Sequence, residues 1–241
     1  MKIKKLWVLG IASLLVAAQS NSQTVDELVK KYVDAMGGAD KLGKVTSIYE
    51  EQTISAMGNE SPATVTILNG KGYKSEMDFG GQKIVQVYTD KSGWSINPFG
   101  GSTDAAAMPE DQYKAGKDQI DVGGSLFNYQ AKGNKVELAG RENVGTVSAY
   151  KLKVTTAANV ESTIYLDPTT YYIIKLVRNV NVNGQSMDIS ISYSNYQKTD
   201  YGIPVASNFE ANYGDQFSMT STIKKVEVNK AVDPKIFDMP K

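Results

Sequence analysis

The sequence predicts a mainly β protein built on a single curved antiparallel sheet, an open half-barrel of about 11 strands. An N-terminal helix and a mid-chain helical lid complete it. Three observations predict this. Apolar residues alternate with period two over most of residues 45–97 and 135–228, the pattern of half-buried strands. Asn-Gly and Gly-Gly pairs punctuate those runs at Asn69-Gly70, Gly80-Gly81 and Asn183-Gly184, and such pairs are strong hairpin signals. No linker, repeat or shift in composition divides the chain, and a β domain of this length commonly forms one unit.

Composition narrows the function before any motif is read. The 241 residues are 41% hydrophobic and 22% charged, an ordinary globular balance. There is no cysteine and no histidine. Disulfides, thiol nucleophiles, imidazole triads and His- or Cys-ligated metals are therefore excluded, and no cofactor site is expected. Lys2, Lys4 and Lys5 precede the apolar run Leu6 to Ala18, and small polar residues follow. This reads as a secretory signal over residues 1–22, with an uncleaved anchor as the alternative. The run is short for a membrane span. Export to the periplasm as a soluble, monomeric protein is the expectation. Without the three leader lysines, 23 basic residues face 26 acidic ones. Only Arg141 and Arg178 are arginines, so nothing suggests a nucleic-acid surface.

The remaining chain, 23–241, opens on a helix. Thr24 and Glu27 have the spacing of a capping box, and Val25, Leu28, Val29, Tyr32, Val33 and Met36 form one apolar stripe. Gly37-Gly38 ends it, because glycine takes the left-handed terminal position without a Cβ penalty. A short helical turn follows around Ala39 to Leu42. Strands are expected over Val45–Ala56, Ala63–Leu68, Gly72–Phe79, Lys83–Tyr88 and Gly93–Asn97. From Asp104 to Tyr129 the alternation breaks. Pro109, Glu110 and Asp111 suit a helix start, so a helix to about Gln119 and a glycine-containing apolar piece to Tyr129 are expected. Strands resume over Lys135–Arg141, Ser148–Thr155, Val160–Leu166, Tyr171–Asn181, Gln185–Tyr196, Ile203–Tyr213 and Gln216–Val228. The tail carries Ile236 and Phe237, which are expected to tuck against the body.

Several short stretches resemble a known family. Gly93-Trp94-Ser95-Ile96-Asn97-Pro98-Phe99 and Met108-Pro109-Glu110-Asp111 are similar to a subgroup of LolA-like outer-membrane lipoprotein-sorting proteins. Tyr165-Leu166-Asp167-Pro168-Thr169-Thr170 resembles that family's Leu-Asp-Pro hairpin, and Phe237-Asp238-Met239-Pro240 its C-terminal Phe-x-x-Pro. The resemblance implies a half-barrel with a helical lid over an apolar cavity. That cavity would hold lipid, or the acyl chains of a lipoprotein delivered to an outer-membrane acceptor protein. It also implies an arginine near the barrel rim that holds the lid closed. The early strands here contain no arginine, which leaves Lys71, Lys74 and Lys83 as candidate substitutes.

No catalytic or metal-binding residue is expected. Glu50 and Glu51 alternate to opposite faces of a strand and cannot act as a pair, and Glu110 with Asp111 is explained by a helix start. The candidate residues for a hydrophobic ligand are Trp94, Ile96 and Phe99, then Leu126 and Phe127 in the lid, then Met187, Ile189, Ile191 and Tyr193 on one strand face. Each set reads equally as core packing. Two functions follow: a periplasmic carrier of a hydrophobic ligand, or a non-carrying envelope scaffold or sensor on the same fold.

Overall fold

The computed structural model describes residues 23–100, 102–182, 185–214 and 217–240. The signal at 1–22 and the Asn183-Gly184 turn lie outside them. Helix α1 (Val25–Ala35) carries the expected capping box. The Glu27 amide donates to Thr24 Oγ1 at 3.2 Å, and the Thr24 amide donates to the Glu27 carboxylate at 3.0 Å. Its stripe of Leu28, Val29, Tyr32 and Val33 is buried. Helix α2 (Ala39–Leu42) follows after Gly37 and Gly38, whose φ values are 107° and 88°.

Thirteen strands form one antiparallel sheet: β1 (Ser47–Ala56), β2 (Asn59–Leu68), β3 (Gly72–Phe79), β4 (Gln82–Thr89), β5 (Gly93–Asn97), β6 (Ser102–Ala107), β7 (Lys135–Val144), β8 (Val147–Thr155), β9 (Glu161–Leu166), β10 (Ile173–Val182), β11 (Gln185–Lys198), β12 (Pro204–Tyr213) and β13 (Phe217–Val228). Their spatial order is β6-β5-β4-β3-β2-β1-β13-β12-β11-β10-β9-β8-β7. The two chain ends of the sheet region, β1 and β13, meet at its centre, and β6 and β7 are its edges. The segment between them, with helix α3 (Glu110–Gly116) and a 3-10 turn at Lys117–Ile120, therefore runs from one edge of the half-barrel to the other.

Two strand assignments differ from the alternation pattern. β6 reads Ser-Thr-Asp-Ala-Ala-Ala, which has no large apolar alternation. Pairing with β5, Trp94 opposite Ala107 and Ser95 opposite Ala106, makes it a strand. β2 begins at Asn59 rather than Ala63 and includes Pro62. The ladder to β3 starts only at Ala63, so Pro62 lies where that side of β2 is open, and a missing N–H costs no sheet bond there.

Helix α1 packs on one face of the sheet, here called inner. The main core joins Leu28, Val29, Tyr32 and Val33 of α1 to Ile48, Leu152, Val154, Ile164, Leu166 and Ile203. Leu126 and Phe127 of the lid enter the same core, 1% and 8% exposed. A second, smaller core holds Val85, Val87, Trp94 and Phe237. It lies on the outer face, because Val87 alternates with the inner-facing Tyr88.

Candidate functional site

The inner face of the central strands is where side chains converge without being covered. On β11, Met187, Ile189, Ile191 and Tyr193 share that face. The register carries it on to Ala211 and Phe209 of β12 and to Leu176 and Arg178 of β10. All four β11 side chains are half-buried. Tyr193 meets Phe209 edge-on, with centroids 5.4 Å apart. Burial pushes its hydroxyl pKa up to about 12, although part of its surface stays open. Tyr193 is thus packed on one side by Phe209 and partly open on the other.

The lid crosses this face. Gly116 of α3 lies on the Tyr88 ring, where a Cβ would come within 2.2 Å of ring carbon. Only glycine allows that approach. Tyr113 donates its hydroxyl hydrogen to the Thr89 carbonyl at 3.1 Å. The lid is tied to the β2–β3 turn, where Gly70 N–H meets the Ile120 carbonyl at 2.7 Å and Val122 N–H meets Asn69 Oδ1 at 3.1 Å. On the far side Ala157 N–H donates to Asn134 Oδ1 at 3.1 Å. Between lid and sheet lies a cavity of about 700 Å³, lined by Tyr113, Lys117, Asp118 and Ile120 above and by Leu176 and Arg178 below. A depression of about 510 Å³ among Lys135, Glu137, Lys153 and Asp188 has a charged lining and lacks an apolar wall.

Arg178 makes an arginine contact to the mid-chain helix, on a late strand rather than an early one. It projects from the inner face of β10, and its Nη1 donates to the Ala115 carbonyl of α3 at 2.7 Å. Its Nε and the Asp118 Oδ2 are buried without hydrogen-bond partners among the described residues, and both residues line the cavity. The lysines do not take this role. Lys74 and Lys83 pair with Glu76 on the outer face, at 3.2 and 2.7 Å, and Lys71 pairs with Asp90 at 3.4 Å. Sequence reasoning missed Arg178 because it searched the first half of the chain. The clue was an arginine at an inner-facing position of an apolar strand.

The structure divides the expected ligand residues into four groups. Met187, Ile189, Ile191 and Tyr193 lie together on the open inner face. Leu126 and Phe127 are in the lid but wedged into the core with α1. Trp94 and Ile96 are not beneath the lid. They lie on the outer face, where the C-terminal tail covers them, and Trp94 Nε1–H donates to the Phe237 carbonyl at 2.8 Å. Their strand alternates, and Gly93 and Ser95 are the residues turned inward. Phe99 is 64% exposed at the β5–β6 connection and meets Phe79 edge-on at 5.6 Å. Antiparallel alternation puts that connection at the same sheet end as the β1–β2 and β12–β13 turns. These bear Met57, 77% exposed, and Phe217, 38% exposed. An apolar rim therefore marks one end of the open face.

Among the described residues no group of three or more Asp or Glu side chains could hold a metal. Glu50 and Glu51 do point to opposite faces. Glu51 is outside, 3.8 Å from Lys225, and Glu50 is inside.

The chain matches no protein-family model and no curated protein sequence. Solved structures do match over nearly the whole length. A LolA superfamily protein from Nitrosomonas europaea aligns with TM-score 0.59 at 10% identity, over 90% of this chain and 98% of that one. The chain has a LolA-like fold. A putative outer membrane lipoprotein-sorting protein domain from Vibrio parahaemolyticus aligns at 0.58 and 10% identity, over 89% and 97%. A DUF1329 family protein from Desulfovibrio piger aligns at 0.57 and 13% identity, over 87% and 97%. At these identities the LolA-like likeness concerns fold, and function rests on the site.

Proposed function

We propose that this LolA-like protein is a periplasmic binding protein or carrier for a hydrophobic ligand, a lipid or the acyl chains of a lipoprotein. One observation carries the reading. The cavity of about 700 Å³ under the mid-chain segment has Leu176 of β10 on its floor, and Leu176 is paired in register with the half-open Ile191 of β11. A scaffold would fill that space with its own side chains, as the same face does beside α1. The proteins with this fold named for lipoprotein sorting support a carrier role, and the N-terminal leader supports export. An alkyl chain on this wall gains about 0.8 kcal/mol per buried methylene, which needs no charged anchor and no metal. The Arg178–Ala115 bond holds α3 over the face, and ligand entry requires it to break.

Titration with the neutral dye Nile red, followed by displacement with a phospholipid, tests the reading. Saturable binding is expected, weakened at least tenfold in Ile189→Glu/Ile191→Glu, because each buried carboxylate left unpaired costs well over the 1.4 kcal/mol that a tenfold change represents. Circular dichroism shows whether the variant remains folded. Absence of saturable binding to the native chain overturns the carrier and leaves the scaffold reading.

A further inference from the structure

The inner face changes character across β1, the central strand. From Glu50 the register runs through Val65 of β2, Ser75 of β3, Gln86 of β4 and Ser95 of β5. Four of these five inward positions are polar, and one is a carboxylate. The row beside it contains Gln52, whose side-chain oxygen accepts from Ser221 Oγ of β13 at 2.5 Å. Aromatic side chains stand next to it. Tyr73 and Tyr88 pack at 6.0 Å on the same face, and the Glu50 charge is felt at Tyr73.

Glu50 is the anomaly in this row. It is half-buried between Val65 and Val226. Among the described residues none donates a hydrogen bond to it or pairs with it as a cation, and desolvation alone pushes its pKa up to about 7. An unpaired carboxylate taken out of water is destabilising unless something satisfies it. A face meant only for alkyl chains gains nothing from one on its central strand. Nearby lysines are turned away: Lys225 of β13 lies 3.8 Å from Glu51, and Lys74 of β3 and Lys83 of β4 are bound to Glu76, all on the outer face.

Resting on the carrier reading, we infer that the inner face takes an amphiphile head first, and that its head is a protonated amine bound by the Glu50 carboxylate. The ammonium N–H groups would donate to Glu50 and to the amide and hydroxyl oxygens of Gln52 and Ser75. The Tyr73 ring offers a face to the cation. The alkyl tail would then run along Ile191 and Ile189. No covalent step is involved. A fatty acid carboxylate is disfavoured at the same place by like charge.

The test is displacement of Nile red from the mature chain at pH 8 by dodecylammonium and by dodecanoate, each below its micelle concentration. A charge-assisted hydrogen bond contributes about 1.5–3 kcal/mol, so the amine should displace the dye at a concentration at least about tenfold lower. Glu50→Gln and Glu50→Leu should bring the two amphiphiles within about threefold of each other, each displacement being read against that variant's own dye affinity. Neither variant removes a partner from another group, so both should fold. Equal amine affinity in the native chain and Glu50→Leu, or a preference for dodecanoate, overturns the inference and leaves the carrier reading standing. If the dye itself does not bind, both fall.

Discussion

The two halves of the sheet treat their inner faces in opposite ways. In β8 and β9 the inner face is filled. Leu152, Val154, Ile164 and Leu166, all 1% exposed or less, pack under α1 and the lid residues Leu126 and Phe127. The outer face there sets Glu142, Lys151 and Lys175 around the buried ring of Tyr165. In β4 and β5 the outer face is the one covered, where the tail lays Phe237 over Val85, Val87 and Trp94. The inner face of β1 to β5 mixes the buried Ile54, Val65 and Tyr88 with Glu50, Ser75 and Gln86. One half is conventional core, and the other sets a carboxylate and polar side chains among apolar ones. The difference shows that a strand's alternation fixes two faces but not which of them meets the covering element.

That contrast can be broken at the tail. Gly72 lies so close to Phe237 that a Cβ would come within 2.6 Å of its ring. Phe237→Ala should cost about 3–5 kcal/mol in urea unfolding and shift Trp94 fluorescence to the red. A loss below about 1 kcal/mol would mean that the tail only rests on the sheet. The filled and open inner faces are compared next. Leu28→Ala, at a site with 0% exposure, should cost about 2–5 kcal/mol. Ile191→Ala, on the half-open wall, should cost less, about 1–2 kcal/mol, because part of its area stays in water in the folded chain. Equal costs would show that the wall is packed.

A smaller effect sharpens the polar row. The Glu50 carboxyl rises from 4.5 to about 7 on folding, so between those values the native state binds more protons than the unfolded chain. Stability is therefore lost as pH rises through this window, and the penalty is complete above pH 7 and absent below pH 4.5. The neighbouring Tyr73 and Tyr213 hydroxyls are pushed up by burial and stay uncharged throughout. Allowing for partial solvent contact, Glu50→Leu should stabilise the protein by about 2 kcal/mol at pH 8 and by nothing measurable from ionisation at pH 4. A constant difference across pH would indicate that packing, not charge, is responsible. The smallest expected change is at the helix start. Thr24→Ala removes one side of the capping box and should cost about 1 kcal/mol, with amide exchange rising in the first turn of α1 but not in β4 or β5.

Much of this protein was legible in its sequence. The capping box, the apolar stripe and Gly37-Gly38 determined α1, and period-two runs with Asn-Gly and Gly-Gly turns determined most of the hairpins. These are local signals, written within ten residues of where they act. The strand β6 was not legible, because Ala105, Ala106 and Ala107 become a strand only through the partner β5 supplies. Nor could the sequence place Trp94, which is buried as a large aromatic should be, but on the face that the far C-terminus covers. Tertiary structure alone joined Arg178 to Ala115 across 63 positions and left Glu50 on the inner face with no partner among the described residues. The physical reason is the same in each case. Alternation specifies that two faces exist, and long-range packing decides which face is filled, which is covered and which stays open.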